Sequence, residues 1–281
     1  MGAPMAGCIA RAQHALTVYD SMRERAERVA SEHGCQVAGQ LDGLAAADVI
    51  VTMLPTGQIV RDLYLREGLA LKLRRGTIAI DMSSSDPVGT RELGAALAAS
   101  GVTLIDAPVS GGVPRAAKGT LTIMIGGDDA AAIDRARPLL STMGDRLFDT
   151  GGLGSGHAMK ALNNFVAAAG FAACAEALLA GQRFGLDPAR MVEIMNVSTG
   201  RSFHTDLVLQ EHVVEGKFAT GFQLGLLAKD VRIAADLAHE LRLDAPLARL
   251  VSERFETARD VLGYTRDHTE AIKAWNQNCD V

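Results

Sequence analysis

Lys160 and Asn164 stand four residues apart in Gly154-Ser-Gly-His-Ala-Met-Lys160-Ala-Leu-Asn-Asn164. On a helix that spacing puts both side chains on one face, a turn apart. An amine next to an amide has the makings of a proton-transfer pair, yet a free lysine titrates at about 10.4. To work near neutrality its amine needs burial or a neighbouring positive charge, and Lys229 in Leu227-Ala-Lys229-Asp230 is one candidate for that charge. By position alone Lys160 is a solvent-exposed helix lysine. The glycine loop before it and the Asn-Asn pair after it favour chemistry. The stretch around Asn164 is otherwise apolar, which argues against a solvent-facing amide, whereas Asn163 points about 100° away and is assigned no role.

A second constellation is Ser110-Gly111-Gly112, which follows a strand pattern. Glycines let backbone N–H groups converge on an anion and a serine hydroxyl adds a donor. The plain alternative is a strand-to-helix turn. Near the N-terminus, Met1-Gly2-Ala-Pro leads into a helical pattern and then a strand ending at Asp20, 18 positions after Gly2. In a dinucleotide fingerprint, strand–GxGxxG–helix is followed about 20 residues on by an acidic residue that binds ribose. Gly2 fits the third glycine and Asp20 the carboxylate; the first strand and first two glycines have no counterpart here. We therefore expect the natural protein to start about a dozen residues upstream, the length of a strand and its turn. Asp20 has a second reading, as a helix N-cap.

Positioning these groups takes alternating strands and helices. Strand patterns lie at 16–19, 49–54, 77–82, 103–106 and 121–125, with amphipathic helical patterns such as 22–33 and 89–99 between them. This implies βαβ units and a parallel sheet with helices on both faces. After the glycine-rich 151–156 every pattern is helical: one long helix to about Arg183 with Gly185 beyond it, one opened by Asp187-Pro188, one over 224–241, and a capping box at Asp267–Glu270. The expected fold is α/β, a doubly wound dinucleotide-binding domain over 1–152 followed by an all-α domain over 153–281.

Composition narrows the function. A net charge of −5 gives no general attraction to nucleic acid or an anionic membrane. Cys8, Cys35, Cys174 and Cys279 are widely scattered and no His/Cys spacing suits zinc, so a reduced, metal-free cytoplasmic protein is expected. The apolar run 165–181 is mostly Ala and Gly and carries Glu176, too weak for a membrane span.

Five segments in order carry a resemblance: Met53-Leu-Pro55; Asp81-Met-Ser-Ser84; Asp106-Ala-Pro-Val-Ser-Gly-Gly112 with Gly119-Thr-Leu121; Gly154 to Asn164; and Leu227-Ala-Lys229-Asp230. Together they closely resemble the 3-hydroxyisobutyrate dehydrogenase family of β-hydroxyacid dehydrogenases, from Met1 to about Glu270. The resemblance implies Lys160 as general acid/base, aligned by Asn164. It implies Ser110, Gly111 and Gly112 as the substrate-carboxylate cradle. It implies a nicotinamide cofactor held by Met1, Gly2, Asp20, Leu54, Pro55, Ser84 and Lys229. Ser84 departs from the threonine common there but keeps a hydroxyl. Asp20 repels a 2′-phosphate, so NAD is expected over NADP, although Arg23 is close.

The expected reaction is oxidation of a short β-hydroxy acid to its semialdehyde in the cleft between the domains, by a homodimer or homotetramer. 3-Hydroxyisobutyrate, serine, tartronate semialdehyde and threonate-like acids remain open as substrates. Imine reduction on the same scaffold is a rival, but relatives of that kind generally lack this lysine. A non-catalytic cofactor-binding scaffold is a second, favoured only by the missing first strand. The loop Asn196–Arg201 borders the substrate or simply caps helices, His157 tunes Lys160 or packs, and Trp275 is a packing anchor.

Overall fold

A computed structural model describes residues 1–277, and Cys279 lies outside them. The chain divides into two compact units, Met1–Lys160 and Ala161–Val281.

The first unit runs α1 (Gly2–Arg11), β1 (Thr17–Val18), α2 (Arg23–His33), β2 (Gln36–Val37), β3 (Val49–Thr52), α3 (Gly57–Arg61), α4 (Leu69–Lys72) and β4 (Ile78–Asp81). It continues through α5 (Pro87–Ala99), β5 (Thr103–Asp106), β6 (Val109–Ser110), α6 (Gly112–Lys118), β7 (Leu121–Gly126), α7 (Ala130–Met143) and β8 (Gly144–Gly151). Strands β3, β4 and β5 are parallel neighbours; β7 lies antiparallel to β5 and β6, and β8 is parallel to β7. β1 and β2 form a parallel pair of their own, and β3 ends the larger sheet.

Alternation along β4 shows how the layers form. Ile78 and Ile80 join Met5, Ile105 and Leu140 in one core, while Ala79 joins Leu93, Leu97 and Leu104 in the other. Side chains of a strand alternate between faces, so β4 needs helices on both sides. This is a Rossmann-like sheet with helices on both faces, as the sequence implies, but it is mixed rather than parallel throughout, because β7 runs antiparallel to β5 and β6. The helix starts are set by aspartates: Asp86 accepts from Gly89 N–H at 2.5 Å with Pro87 next to it, and Asp129 accepts from Ala132 N–H at 3.0 Å.

The second unit is helical. It takes most of α8 (Ser155–Phe184), then α9 (Pro188–Asn196), α10 (Phe203–Leu207), α11 (Leu224–Glu240), α12 (Pro246–Leu262) and α13 (Ala271–Gln277). Asp187 caps α9 as expected, accepting from Arg190 N–H at 3.2 Å. Asp267 differs from expectation. It accepts from Thr269 N–H at 3.1 Å and starts a single 3₁₀ turn ahead of α13, while Glu270 bonds Lys273 instead of reaching back. α8 also corrects the sequence reading, because by length and composition it is apolar enough to cross a membrane. Its Ala168, Phe171, Ala175 and Leu178 instead form the core of the helical unit with Leu227, Val231 and Phe255.

Phe171 sits at the centre of an aromatic cluster, with ring centroids 5.7 Å from His204, 5.5 Å from His268 and 5.9 Å from Trp275. Trp275 is the packing anchor expected. Burial, reinforced by His268, pushes His204 down to about 4, and burial likewise lowers His268. Both imidazoles are neutral in the fold and regain ordinary values when it opens. The folded state is therefore fully favoured above about pH 6.5 and loses stability as pH falls toward 4, by about 2–3 kcal/mol for His204. Urea unfolding at pH 7 and pH 5 checks this, and His204→Phe should flatten the difference.

Candidate active site

Two neighbouring strands end in aspartate, and the register pairs Asp81 with Asp106. Both carboxylates are buried, 2% and 0% exposed, so each needs donors. Asp81 takes the Thr52 hydroxyl at 2.9 Å, Ser83 N–H at 3.0 Å and the Ser85 hydroxyl at 2.7 Å. Asp106 takes Gly154 N–H at 2.7 Å and His157 N–H at 2.8 Å, which are otherwise unmatched donors at the start of α8. Gly156 permits the approach, since a Cβ there would stand 2.4 Å from the Met124 carbonyl and 2.9 Å from Asp106 Oδ2.

Asp106 also opens the segment that ends at Gly112. The turn through Gly111 (φ 132) and Gly112 (φ 67) uses backbone conformations that glycine adopts without strain. One peptide thus contains both the cradle candidates Ser110, Gly111 and Gly112 and the carboxylate that anchors the first turn carrying Lys160. Lys160 is half-buried rather than the open surface lysine that position alone suggests.

In the helical unit Asn164 is 6% exposed. Its Nδ2 donates to Asp230 Oδ2 at 2.6 Å, and its Oδ1 accepts from Asn163 at 3.2 Å. A carboxylate only accepts, so Asp230 sets which end of the amide points where. Lys229 Nζ lies 3.1 Å from the other Asp230 oxygen. Asp230→Asn is expected to lower kcat about tenfold to a hundredfold, because the charged partner holding Asn164 is lost. Steady-state kinetics beside a thermal melt check it, and Asn164→Ala made in the Asp230→Asn background should add little.

Of the cofactor candidates of the first unit, Asp20, Leu54, Pro55 and Ser84 lie just past the carboxyl ends of strands, and Met1 and Gly2 open α1. Gly2 starts α1, and a Cβ on it would be 3.8 Å from Met53 Cβ, an ordinary contact; Met1 precedes it, half-buried. Leu54 N–H donates to Ser83 Oγ at 2.9 Å, Pro55 follows, and Ser84 is half-buried past β4. Asp20 accepts from Met22 N–H at 2.8 Å and so closes a turn; the N-cap of α2 is Met22, which corrects the capping alternative. Ligands of open α/β sheets bind along this edge. Asn196 donates to the Thr205 carbonyl at 3.0 Å, tying the start of its loop to α10, and α10 is opened by the Ser202–Thr205 capping box just beyond Arg201.

Residues 1–152 match the family model described as the NAD binding domain of 6-phosphogluconate dehydrogenase. Residues 154–275 match that described as the NAD-binding of NADP-dependent 3-hydroxyisobutyrate dehydrogenase. A 3-hydroxyisobutyrate dehydrogenase of Pseudomonas aeruginosa is 37% identical over 91% of this chain and 88% of its own. The chain belongs to the 3-hydroxyisobutyrate dehydrogenase family. A 2-(hydroxymethyl)glutarate dehydrogenase of Eubacterium barkeri is 33% identical over 99% of this chain and 92% of its own. The solved Mycobacterium tuberculosis 3-hydroxyisobutyrate dehydrogenase with L-serine superposes with a TM-score of 0.89, at 31% identity, covering 98% of this chain and 95% of that one.

As a member of the 3-hydroxyisobutyrate dehydrogenase family the protein is an NAD(P)-dependent oxidoreductase acting on CH–OH donors. The residues present fit the cofactor along the strand ends, where α1, the Leu54–Pro55 turn and Ser84 line one edge. Three polar residues that sequence reasoning left without a role emerge from the geometry: Asp81, Asp106 and Asp230. All three lay inside the quoted motifs, and an aspartate closing a buried strand is the signal that was available for the first two.

Proposed function

We propose that this enzyme reversibly oxidises a short β-hydroxy acid, of the 3-hydroxyisobutyrate kind, to its semialdehyde with NAD, and that Lys160 is the general acid/base. The observation that supports this most is the pair of bonds from Asp106 to the first turn of α8, which ties the cradle segment to the helix of the amine. In this reading the Ser110 hydroxyl and the N–H groups of Gly111 and Gly112 bind the substrate carboxylate. Lys160 takes the proton of the hydroxyl and returns it in the reverse direction. Asn164, held through Nδ2 by Asp230, keeps its carbonyl oxygen as an acceptor toward that exchange. Nicotinamide, when bound, supplies the hydride acceptor. The carboxylate of Asp20, which has no arginine beside it in Asp20-Ser21-Met22, favours NAD over NADP.

L-Serine is the second substrate reading, supported by the Mycobacterium tuberculosis relative solved with it. Serine, 3-hydroxyisobutyrate and 2-(hydroxymethyl)glutarate share one element, a hydroxymethyl group on the carbon next to a carboxylate. The test is NADH formation with these three and threonate, and NADH consumption with tartronate semialdehyde. Oxidation of none of them, with none reduced in reverse, would favour the cofactor-binding scaffold. The described cysteines Cys8, Cys35 and Cys174 are all free, which suits a reducing, cytoplasmic setting. Phe184 (86% exposed) and Leu241 (69%) leave the helical unit apolar groups suited to self-association as a dimer or tetramer.

A further inference from the structure

The His157 ring is 1% exposed, and its place is set by polar partners. Nδ1 lies 2.8 Å from the Thr90 hydroxyl on α5, which itself reaches the Asp86 carbonyl at 2.8 Å. Nε2 faces Asp81 Oδ2 at 3.6 Å, and Nδ1 stands 3.8 Å from Asp106 Oδ2. Nε2 makes no hydrogen bond among the described residues. A buried ring nitrogen left so costs stability that a leucine of similar size would not cost. Filling space is therefore a poor account of an imidazole here.

The two bonds to Asp106 hold the N–H groups of Gly154 and His157, at the start of α8, on one carboxylate. The bond to Thr90 acts off the axis, from a side chain on another helix, and so it opposes rotation. Lys160 is one turn further on. Side-chain groups stand about 5–6 Å from a helix axis, so a rotation of about 10° moves them on the order of 1 Å. Misplacement of that size costs a reaction about a hundredfold.

We propose that His157 is a positioning residue: its buried ring, held between Thr90, Asp81 and Asp106, sets the rotation of the first turn of α8 and thereby the place of the Lys160 amine. The inference rests on Lys160 being the proton-transfer group. It gives the glycine-loop helix a second hold, on α5 through Thr90, beside the backbone bonds to Asp106.

The test compares His157→Leu, which keeps bulk and removes both nitrogens, with His157→Asn, whose amide can stand in for Nδ1. Thr90→Val removes the same bond from the other side. His157→Leu and Thr90→Val should lower kcat about 30- to 100-fold, with KM for NAD changed less than about twofold, and His157→Asn should recover to within about fivefold of wild type. Competitive acetylation of the cofactor-free protein, read by mass spectrometry across pH, reports Lys160 directly. Its titration midpoint should move by about half a pH unit or more in the first two variants and return in the third. A folded His157→Leu with wild-type kcat and an unmoved Lys160 midpoint overturns the proposal. If His157→Leu does not fold, Thr90→Val decides by the same two readouts. Failure of the functional reading looks different: Lys160→Ala would then turn over normally, whatever the acetylation of His157 variants shows.

Discussion

Lys160→Ala is expected to lower kcat by about 10²- to 10⁴-fold, the range over which a positioned general acid/base contributes. In the proposed mechanism the substrate hydroxyl loses its proton acceptor, and water must serve in its place. NADH affinity, followed by the fluorescence of the bound dinucleotide, should change little, because the first-unit cofactor candidates sit on strand ends and on α1, and Lys160 is on α8. Lys160→Arg should be nearly as damaging, since a guanidinium keeps the charge but does not give up its proton. Wild-type turnover in either variant would remove Lys160 from the chemistry.

Asp106→Ala is expected to be the most destabilising single change in the first unit. It strips the acceptor from Gly154 N–H and His157 N–H at once, in a site that water does not reach. Two buried donors left unmatched cost about 3–5 kcal/mol together. Asp106→Asn should cost less, because its amide oxygen accepts one of the two bonds while its NH₂ accepts neither. Urea unfolding measures the loss, and amide hydrogen exchange at Gly154 and His157 locates it. Unchanged exchange there would show that the helix start is held by something else. Enough Asp106→Asn should remain folded for kinetics, and its kcat should fall because the first turn of α8 is loosened, with the cradle glycines untouched.

The fold was legible where local chemistry decides it. Asp187-Pro188 marked a helix start, the run to Arg183 with Gly185 beyond it marked a long helix, and β5 matches its pattern over Thr103–Asp106. What was missed lacks a local signal. β2 and β6 are two residues each, and β8 is an edge strand whose mostly exposed residues show no alternation. Asp267 has the spacing of a capping box, but Glu270 finds Lys273 nearer than its own helix start. Of the site, the motifs were readable as groups of residue types. The aspartates that join them were not, because each acts on a partner far along the chain: Asp106 on residue 157, Asp230 on residue 164.

By itself the chain of residues determined the alternating α/β first unit, the helical second one, the family and the amine–amide pair one turn apart. Periodicity, caps and glycine placement are local, so they can be read in order along the chain. Only the tertiary structure decided what anchors that pair: a carboxylate at the end of β5 holding the first turn of α8, a buried imidazole reaching α5, and a second carboxylate on α11 orienting the amide. Those contacts arise because buried charges and unmatched N–H groups must find each other wherever packing brings them, and sequence distance carries no record of that.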